Sequence, residues 1–296
     1  MNITLIGNPT GHDVQRLAEE AEKLGVTFEA VSVSSLILSE QNNVFGLFDA
    51  NGRNVTNSDC YIFRGIGDAD NEVMVIAKYL QRHGATIIEE NTANGSISMD
   101  KLFLRAADHT IPMPNYLMIQ NAQALESVTP TLVFPVVMKS TIGSMGRNVI
   151  LVENAASLCQ AYDKLGPRVI LQEYLPVDHD IRAIVINGQY IDSYRRTRDD
   201  GEFRMNRPGN HKDHLPLPDE AISICERAAQ YQNIEIAGID LTHYNGTWYV
   251  LEVNTSPQFH MFETYTNKNI AKLLLEYAVS KTAANASLSH VSGSEN

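Results

Sequence analysis

Asp240, Glu252 and Asn254 are the residues whose types and spacing most clearly suggest chemistry. Glu252 and Asn254 stand two apart, so on a strand they point to the same face. The segments carrying the three, residues 238–241 and 248–253, are otherwise apolar and β-rich, and Asn245 and Gly246 join them. Acidic groups projecting from buried strands are costly unless a cation compensates them. A donor set of hard oxygens, with no His or Cys in it, favours Mg²⁺ over zinc. That points to phosphate chemistry.

The connection between the two strands decides whether the acids can meet. A two-residue Asn245-Gly246 turn would set Asp240 opposite Leu251 and leave Glu252 on the other face. A three-residue loop, with Thr247 included, would set Asp240 directly across from Glu252; such loops are the next commonest hairpin connection. A shared metal therefore requires an odd-length loop or a bulge. The competing reading is that one of the acids is a surface charge at a strand end.

Other segments could complete such a site. Residues 133–139 form an apolar strand ending in Lys139, which could set a point charge on a phosphate. The loop that follows contains Gly143, Ser144, Gly146 and Arg147 and could turn backbone N–H groups toward phosphate oxygens. Many ordinary hairpins also contain two glycines. Residues 169–175 make a second apolar strand with Glu173 and Tyr174 at its end, suited to a base or ribose edge or to a plain strand terminus. In the next hairpin, a two-residue Asn187-Gly188 turn would pair Asp180 with Arg195 and Arg182 with Ser193. Asp180, Arg182 and Arg195 would then share a face suited to an anionic intermediate, with Arg196 on the other side.

The elements around these residues divide the chain. Residues 1 to about 95 alternate strands (3–7, 27–31, 60–64, 86–89) with helical stretches (14–24, 72–83), which implies a parallel sheet flanked by helices. The stretch between the second and third strands reads as looser. Residues 7–11 have neither dinucleotide-fingerprint nor Walker spacing and read as a turn. A helix is expected over 98–107 with Ser98 as its cap, then a strand over 116–119. The remainder is rich in hairpins and closes with a helix over roughly 269–281. Residues 282–296 are small and polar and are expected to be disordered.

Composition excludes several classes. The 296 residues are 44% hydrophobic and 20% charged, which describes an ordinary globular chain long enough for two or three domains. No apolar run reaches the length that spans a bilayer, and the N-terminus lacks the basic start of a signal peptide. A net charge of −12 argues against a nucleic-acid or anionic-membrane binder. Residues 182–212 nevertheless hold seven Lys/Arg against four acids, either a confined anion site or a solvated basic face. Cys60, Cys159 and Cys225 fall in no metal or redox motif and read as core thiols of a cytoplasmic protein.

Taken in order, these pieces resemble a known family. A strand lysine with its glycine loop precedes Gln-Glu-Tyr (172–174), Asp-Ile-Arg (180–182) and Arg-Arg (195–196). Gly-Glu-Phe-Arg-Met-Asn (201–206), Gly-Ile-Asp-Leu (238–241) and Leu-Glu-Val-Asn-Thr-Ser-Pro (251–257) follow. This order is similar to the ATP-grasp superfamily, in particular the RimK-like branch of ribosomal-protein glutamate ligases, from about Met99 to Lys281. The resemblance implies a mixed α/β and α+β fold, in which a preATP-grasp parallel-sheet domain (1–97) precedes a two-lobed ATP-grasp fold (98–175 and 176–281) and a disordered tail (282–296).

The resemblance also implies ATP bound between the lobes with Mg²⁺ on its phosphates, Mn²⁺ being the alternative ion. Matched by motif, Lys101 and Lys139 would contact phosphates, together with the loop of Gly143, Ser144 and Gly146. Glu173 and Tyr174 would line the adenine edge, and Asp180 would approach the ribose. Arg204 and Asn206 would lie near the phosphate end, and Asp240, Glu252 and Asn254 would hold the metal. Arg182, Arg195 and Arg204 are the implied catalytic cations. The implied reaction is ATP-dependent amide formation through an acyl phosphate, joining an amino acid such as glutamate to a peptide, protein tail or metabolite. A small-molecule ligase resembling glutathione synthetase or D-alanine–D-alanine ligase, an ATP-grasp kinase and a non-catalytic nucleotide-binding regulator are the alternatives. The family also implies a homo-oligomer, with no nucleic-acid or membrane partner. The loop departs from many such ligases in carrying Arg147 where further glycine is usual.

Overall fold

The computed structural model describes residues 1–41, 44–67, 69–94, 109–140, 148–199, 203–204, 210–231 and 233–292. Lys101, Gly143, Ser144, Gly146 and Asn206, and the helix expected over 98–107, lie outside the described residues.

The N-terminal alternation folds as its pattern requires. Strands β1 (Asn2–Gly7) and β2 (Thr27–Ser32) pair in parallel around the helix His12–Leu24. That helix ends at Gly25, whose φ of 67° is the left-handed conformation that glycine adopts without penalty. The stretch read as loose contains an antiparallel hairpin, β3 (Ile37–Gln41) and β4 (Val44–Phe48). Then come β5 (Cys60–Arg64), the helix Asp70–Arg82 and β6 (Thr86–Ile88). The parallel sheet runs in the order β2-β1-β5-β6.

A second sheet, antiparallel and ordered β7-β10-β8-β9, comprises β7 (Tyr116–Ile119), β8 (Val136–Ser140), β9 (Val149–Val152) and β10 (Val169–Glu173). Two helices, Ala122–Val128 and Ala155–Leu165, accompany it. Asn121 and Asn154 cap them by accepting the N–H of Ala124 and Ser157.

The third sheet is antiparallel, in the order β13-β12-β11-β14-β15. It consists of β11 (His179–Ile186), β12 (Gln189–Thr197), β13 (His211–His214), β14 (Ile236–Tyr244) and β15 (Thr247–Asn254). Alternation assigns its two faces. Ile181, Ala183, Val185, Ile239 and Leu241 pack on the helix Asp219–Tyr231 through Ala221, Cys225 and Ala228. On the opposite face, Ile184, Ile186, Tyr194 and Ile236 share one core with Phe259, Phe262, Leu274 and Leu275. Ile3, Leu5 and Ile62 of the parallel sheet belong to the same core. Cys60 and Cys225 are buried as expected, whereas Cys159 is exposed.

The C-terminal expectation needs correction. The last helix does not stop near Lys281 but continues from Ile270 to Ser292. Its second half has anchors in the parallel sheet. Lys281 donates to the carbonyl of Ile87 at 3.0 Å, and Asn285 donates to the Thr86 hydroxyl at 3.1 Å.

A reciprocal carboxylate clasp joins the first and third sheets. Glu89 accepts the N–H of Ile236 at 2.7 Å and of Glu235 at 3.1 Å. Glu235 in turn accepts the N–H of Glu89 and Glu90, the Tyr277 hydroxyl at 2.6 Å and the Lys281 ammonium. Burial, reinforced by the Glu235 charge, pushes the Glu89 carboxyl up to about 8. A folded-state value raised above the ordinary 4.5 gives a contribution to stability that is complete below that pH and lost as pH rises through 8. The melting temperature should therefore fall more steeply from about pH 5 to about pH 8 in the wild type than in Glu89→Gln. Parallel pH profiles for the two proteins would refute this account of the clasp.

Candidate active site

The hairpin β14–β15 carries the oxygen trio. Its turn is the two-residue Asn245-Gly246 form, with φ of 48° and 80°, and it pairs Tyr244 with Thr247 and Leu241 with Val250. Continued unchanged, that register would set Asp240 against Leu251. A bulge at Leu251 intervenes. Beyond it Asp240 faces Glu252 and Gly238 faces Asn254. The extra residue that a shared site requires is in the strand, not in the turn.

The three side chains differ in environment. Glu252 is exposed, and its carboxylate makes no hydrogen bond or ion pair among the described residues. Asn254 directs its amide nitrogen to the Gly238 carbonyl at 3.3 Å. Asp240 is buried and held by two arginines. Arg182 binds it through Nε and Nη2 at 2.6 and 2.5 Å, and Arg196 Nη2 lies 3.0 Å from Oδ2. Burial alone would raise the Asp240 carboxyl, but the two guanidiniums outweigh it and bring it down to about 2.

Asp180 completes this cluster. Arg196 grips it through Nε and Nη2 at 2.6 and 2.5 Å. Burial raises the Asp180 carboxyl, Arg196 opposes that shift, and the Asp240 charge adds to it. Two arginines and two aspartates thus form a buried group of formally zero net charge.

The partner of Asp180 corrects the expected register. β11 and β12 begin from the two-residue turn, with Ile186 facing Gln189, but an extra residue at Ile191 shifts every later pair. Asp180 then faces Arg196, and Arg182 faces Tyr194. Because neighbouring side chains alternate, Arg195 is turned to the other face, where Asp213 binds it at 3.0 and 2.8 Å. Arg196 takes the place that Arg195 was expected to hold beside Asp180 and Arg182.

The remaining candidates lie on or near the second sheet. Lys139 donates to the Gln172 side chain at 3.0 Å, and Gln172 is itself buried. Glu173 does not project freely from its strand, since Asn115 donates to it through backbone and side chain at 3.2 and 2.8 Å. The Tyr174 hydroxyl accepts from Arg198 at 3.2 Å. Arg204 sits over the neighbouring Phe203 ring, 5.4 Å from its centroid. Arg196, Tyr194 and Gln172 are the members the sequence did not single out as site residues. A paired cation–anion pattern across β11 and β12 was the available signal, read one residue out of phase.

The donor chemistry of the trio suits Mg²⁺. All three candidate ligands offer oxygen: Glu252 is uncommitted, the Asn254 amide nitrogen rather than its oxygen is engaged by Gly238, and Asp240 Oδ1 accepts a single bond from Arg182. Two antiparallel sheets, one bearing a lysine and the other oxygen donors, behind an α/β sheet are the architecture of an ATP-grasp enzyme. The ATP-grasp ligase PsnB, solved with a phosphomimetic variant of its minimal precursor, Mg and ADP, matches with a TM-score of 0.73. That match covers 95% of this chain and 98% of that one at 20% identity. The macrocyclase MdnC from Microcystis aeruginosa, bound to precursor peptide MdnA, matches at 0.70 over 94% and 99% of the two chains, at 12% identity.

The chain belongs to the RimK-like ATP-grasp family, whose model matches residues 96–278. Relatives described as probable alpha-L-glutamate ligases include one from Haemophilus influenzae, 25% identical over 93% of this chain and 96% of its own length. One from Legionella pneumophila is 30% identical over 73% and 74%. The protein is an ATP-grasp ligase. No described helix is long and apolar enough to cross a membrane.

Proposed function

We propose that the protein joins an acidic amino acid, glutamate in the first instance, to a carboxylate-bearing acceptor at the expense of ATP. The observation that carries this reading is the pairing of Asp240 with Glu252, beside Asn254, with Asp240 itself bound to Arg182 and Arg196. ATP would lie between a lobe of residues 98–175 and one of residues 176–281. Glu252, Asn254 and the free lone pair of Asp240 would hold Mg²⁺, which when bound neutralises phosphate charge and orients the γ-phosphoryl group. Lys139 supplies a second positive charge, positioned by Gln172. Arg204 would lie near the phosphate end.

The chemistry asks little else of the chain. A carboxylate oxygen of the acceptor attacks the γ-phosphorus, ADP leaves, and the acyl phosphate forms. The amine then adds to the acyl carbon, phosphate departs and a proton is lost, leaving an amide. Arg182, the more accessible of the two arginines, would offer N–H donors to the tetrahedral oxyanion, held in place by Asp240 so that little reorganisation is needed. The names of the curated relatives favour glutamate, and peptide-bound neighbours such as MdnC favour a peptide acceptor.

The test is ADP release with L-glutamate and a panel of peptides and small carboxylates, in Mg²⁺ and separately in Mn²⁺. Mass spectrometry should show products heavier by one or more glutamyl residues. Phosphoryl transfer to a stable product without any amine would replace the ligase reading with a kinase. Nucleotide binding with no turnover anywhere in the panel would favour a regulator.

A further inference from the structure

The order β2-β1-β5-β6 means that the chain leaves β1 to one side and later returns on the other. Open α/β sheets bind ligands in the crevice outside the carboxyl ends of the two strands at such a reversal. Here those ends are Gly7 and Arg64. The strands close tightly: a Cβ on Gly7 would lie 1.6 Å from the Arg64 carbonyl oxygen, which also accepts the Asn8 N–H at 3.3 Å. The roof is the segment directly after Asn254. The Pro257 carbonyl accepts from Arg64 Nη2, the Ser256 hydroxyl accepts from the Gly65 N–H at 3.3 Å, and the Phe259 ring lies 5.3 Å from Arg64 Cζ. The crevice therefore adjoins the proposed reaction centre.

Arg64 is only 6% exposed, and its Nη1 has no hydrogen-bond partner. A buried donor left unsatisfied is costly, more so on a charged group. Asp13 stands 3.5 Å from Nη2, but its oxygens already accept the N–H of Phe259 and His260, both at 3.1 Å, and contact His260 Nδ1 at 3.2 Å. His12, Asp13 and His260 do bring three ligand atoms within 4.8 Å of one another. A guanidinium beside Asp13 and the N-terminus of the helix His12–Leu24 both disfavour a cation there. What Arg64 Nη1 lacks is an acceptor.

We propose that Arg64 anchors the free carboxylate of the amino-acid substrate in this crevice, an assignment that rests on the ligase reading above. The amine donor reacts only through its nitrogen, so its α-carboxylate persists through the reaction and can serve as a handle. A planar guanidinium fork matches a carboxylate, and His12 and His260 offer further ring N–H groups at the rim. Protein atoms cover Nη1, so entry moves the 256–259 segment outward and couples occupancy to the strand end carrying Asn254.

Thermal shift on the full chain tests this with three probes: L-glutamate, its dimethyl ester and inorganic phosphate, each added to protein saturated with Mg²⁺ and ADP. Glutamate should stabilise the wild type, and the ester and phosphate should not. Arg64→Gln should abolish the glutamate response and Arg64→Lys weaken it at least about tenfold, a single point charge replacing the fork. Both variants should keep the ADP response. An unresponsive wild type, an equal response to the ester, a larger response to phosphate, or wild-type glutamate binding in either variant would overturn the site. Should Arg64→Gln lose the ADP response as well, Arg64→Lys decides on the same criteria. Failure of ADP to stabilise the wild type would strike the nucleotide reading instead and leave the glutamate comparison standing.

Discussion

Glu252→Gln should lower ADP release about a hundredfold or more, equivalent to roughly 2.7 kcal/mol of transition-state stabilisation. Its melting temperature should barely move. Glu252 is exposed and has no partner among the described residues, so the amide removes a metal-binding charge without stranding another group. Exposed substitutions away from caps, cores and networks change stability by about 0.5 kcal/mol or less. Turnover and thermal melting measured on the same preparation check both halves. Wild-type turnover in the variant would remove Glu252 from the metal site.

Asp240→Asn should behave in the opposite way, losing stability before any question of catalysis arises. Asp240 is the only described carboxylate bonded to Arg182, and it also serves Arg196, with Asp240 and Arg196 buried and Arg182 only slightly exposed. Truncating one member of a buried ion pair leaves an uncompensated charge and costs about 3–5 kcal/mol. The urea midpoint should fall accordingly, with the slope of the transition unchanged. A midpoint equal to that of the wild type would show that the two guanidiniums do not depend on Asp240. Set side by side, the two variants divide the trio. Glu252 is committed to the ligand, whereas Asp240 also holds the sheet together.

Much of this arrangement was legible in the sequence because the relevant signals are local. Asn245-Gly246 and Asn187-Gly188 specify tight turns, and alternation along the strands specifies faces. From these came the requirement for one extra residue between Asp240 and Glu252. The place of that residue was not legible, since Leu251 is one apolar side chain in an apolar run. The same blindness exchanged Arg195 for Arg196: the bulge at Ile191 leaves no mark in composition, and a one-residue slip reverses every face beyond it.

The helical misses have another cause. Asn121 and Asn154 are good caps, but the helices they begin are short, 7 and 11 residues, and carry little of the helical period in sequence. Residues 282–292 looked polar and loose, yet Ala283, Ala284 and Ala286 favour helix, and Asn285 reaches back to Thr86. Tertiary contacts such as the clasp of Glu89 and Glu235 join residues far apart in sequence, and no local pattern announces them.

The bulge at Leu251 also bears on how this hairpin tolerates change in length. Asp240 and Glu252 meet because the connection between them holds one residue beyond a two-residue turn and its matched pairs, wherever that residue sits. A single insertion near Gly246 supplies the partner that the bulged residue lacks, so a two-residue turn should then pair the two acids in a regular hairpin with no bulge. Relatives could therefore carry the odd residue in the turn and dispense with the bulge while keeping the same pair. In a library of turn lengths, ligase activity should survive a single added residue, and its loss in that variant would show that the bulge itself is required.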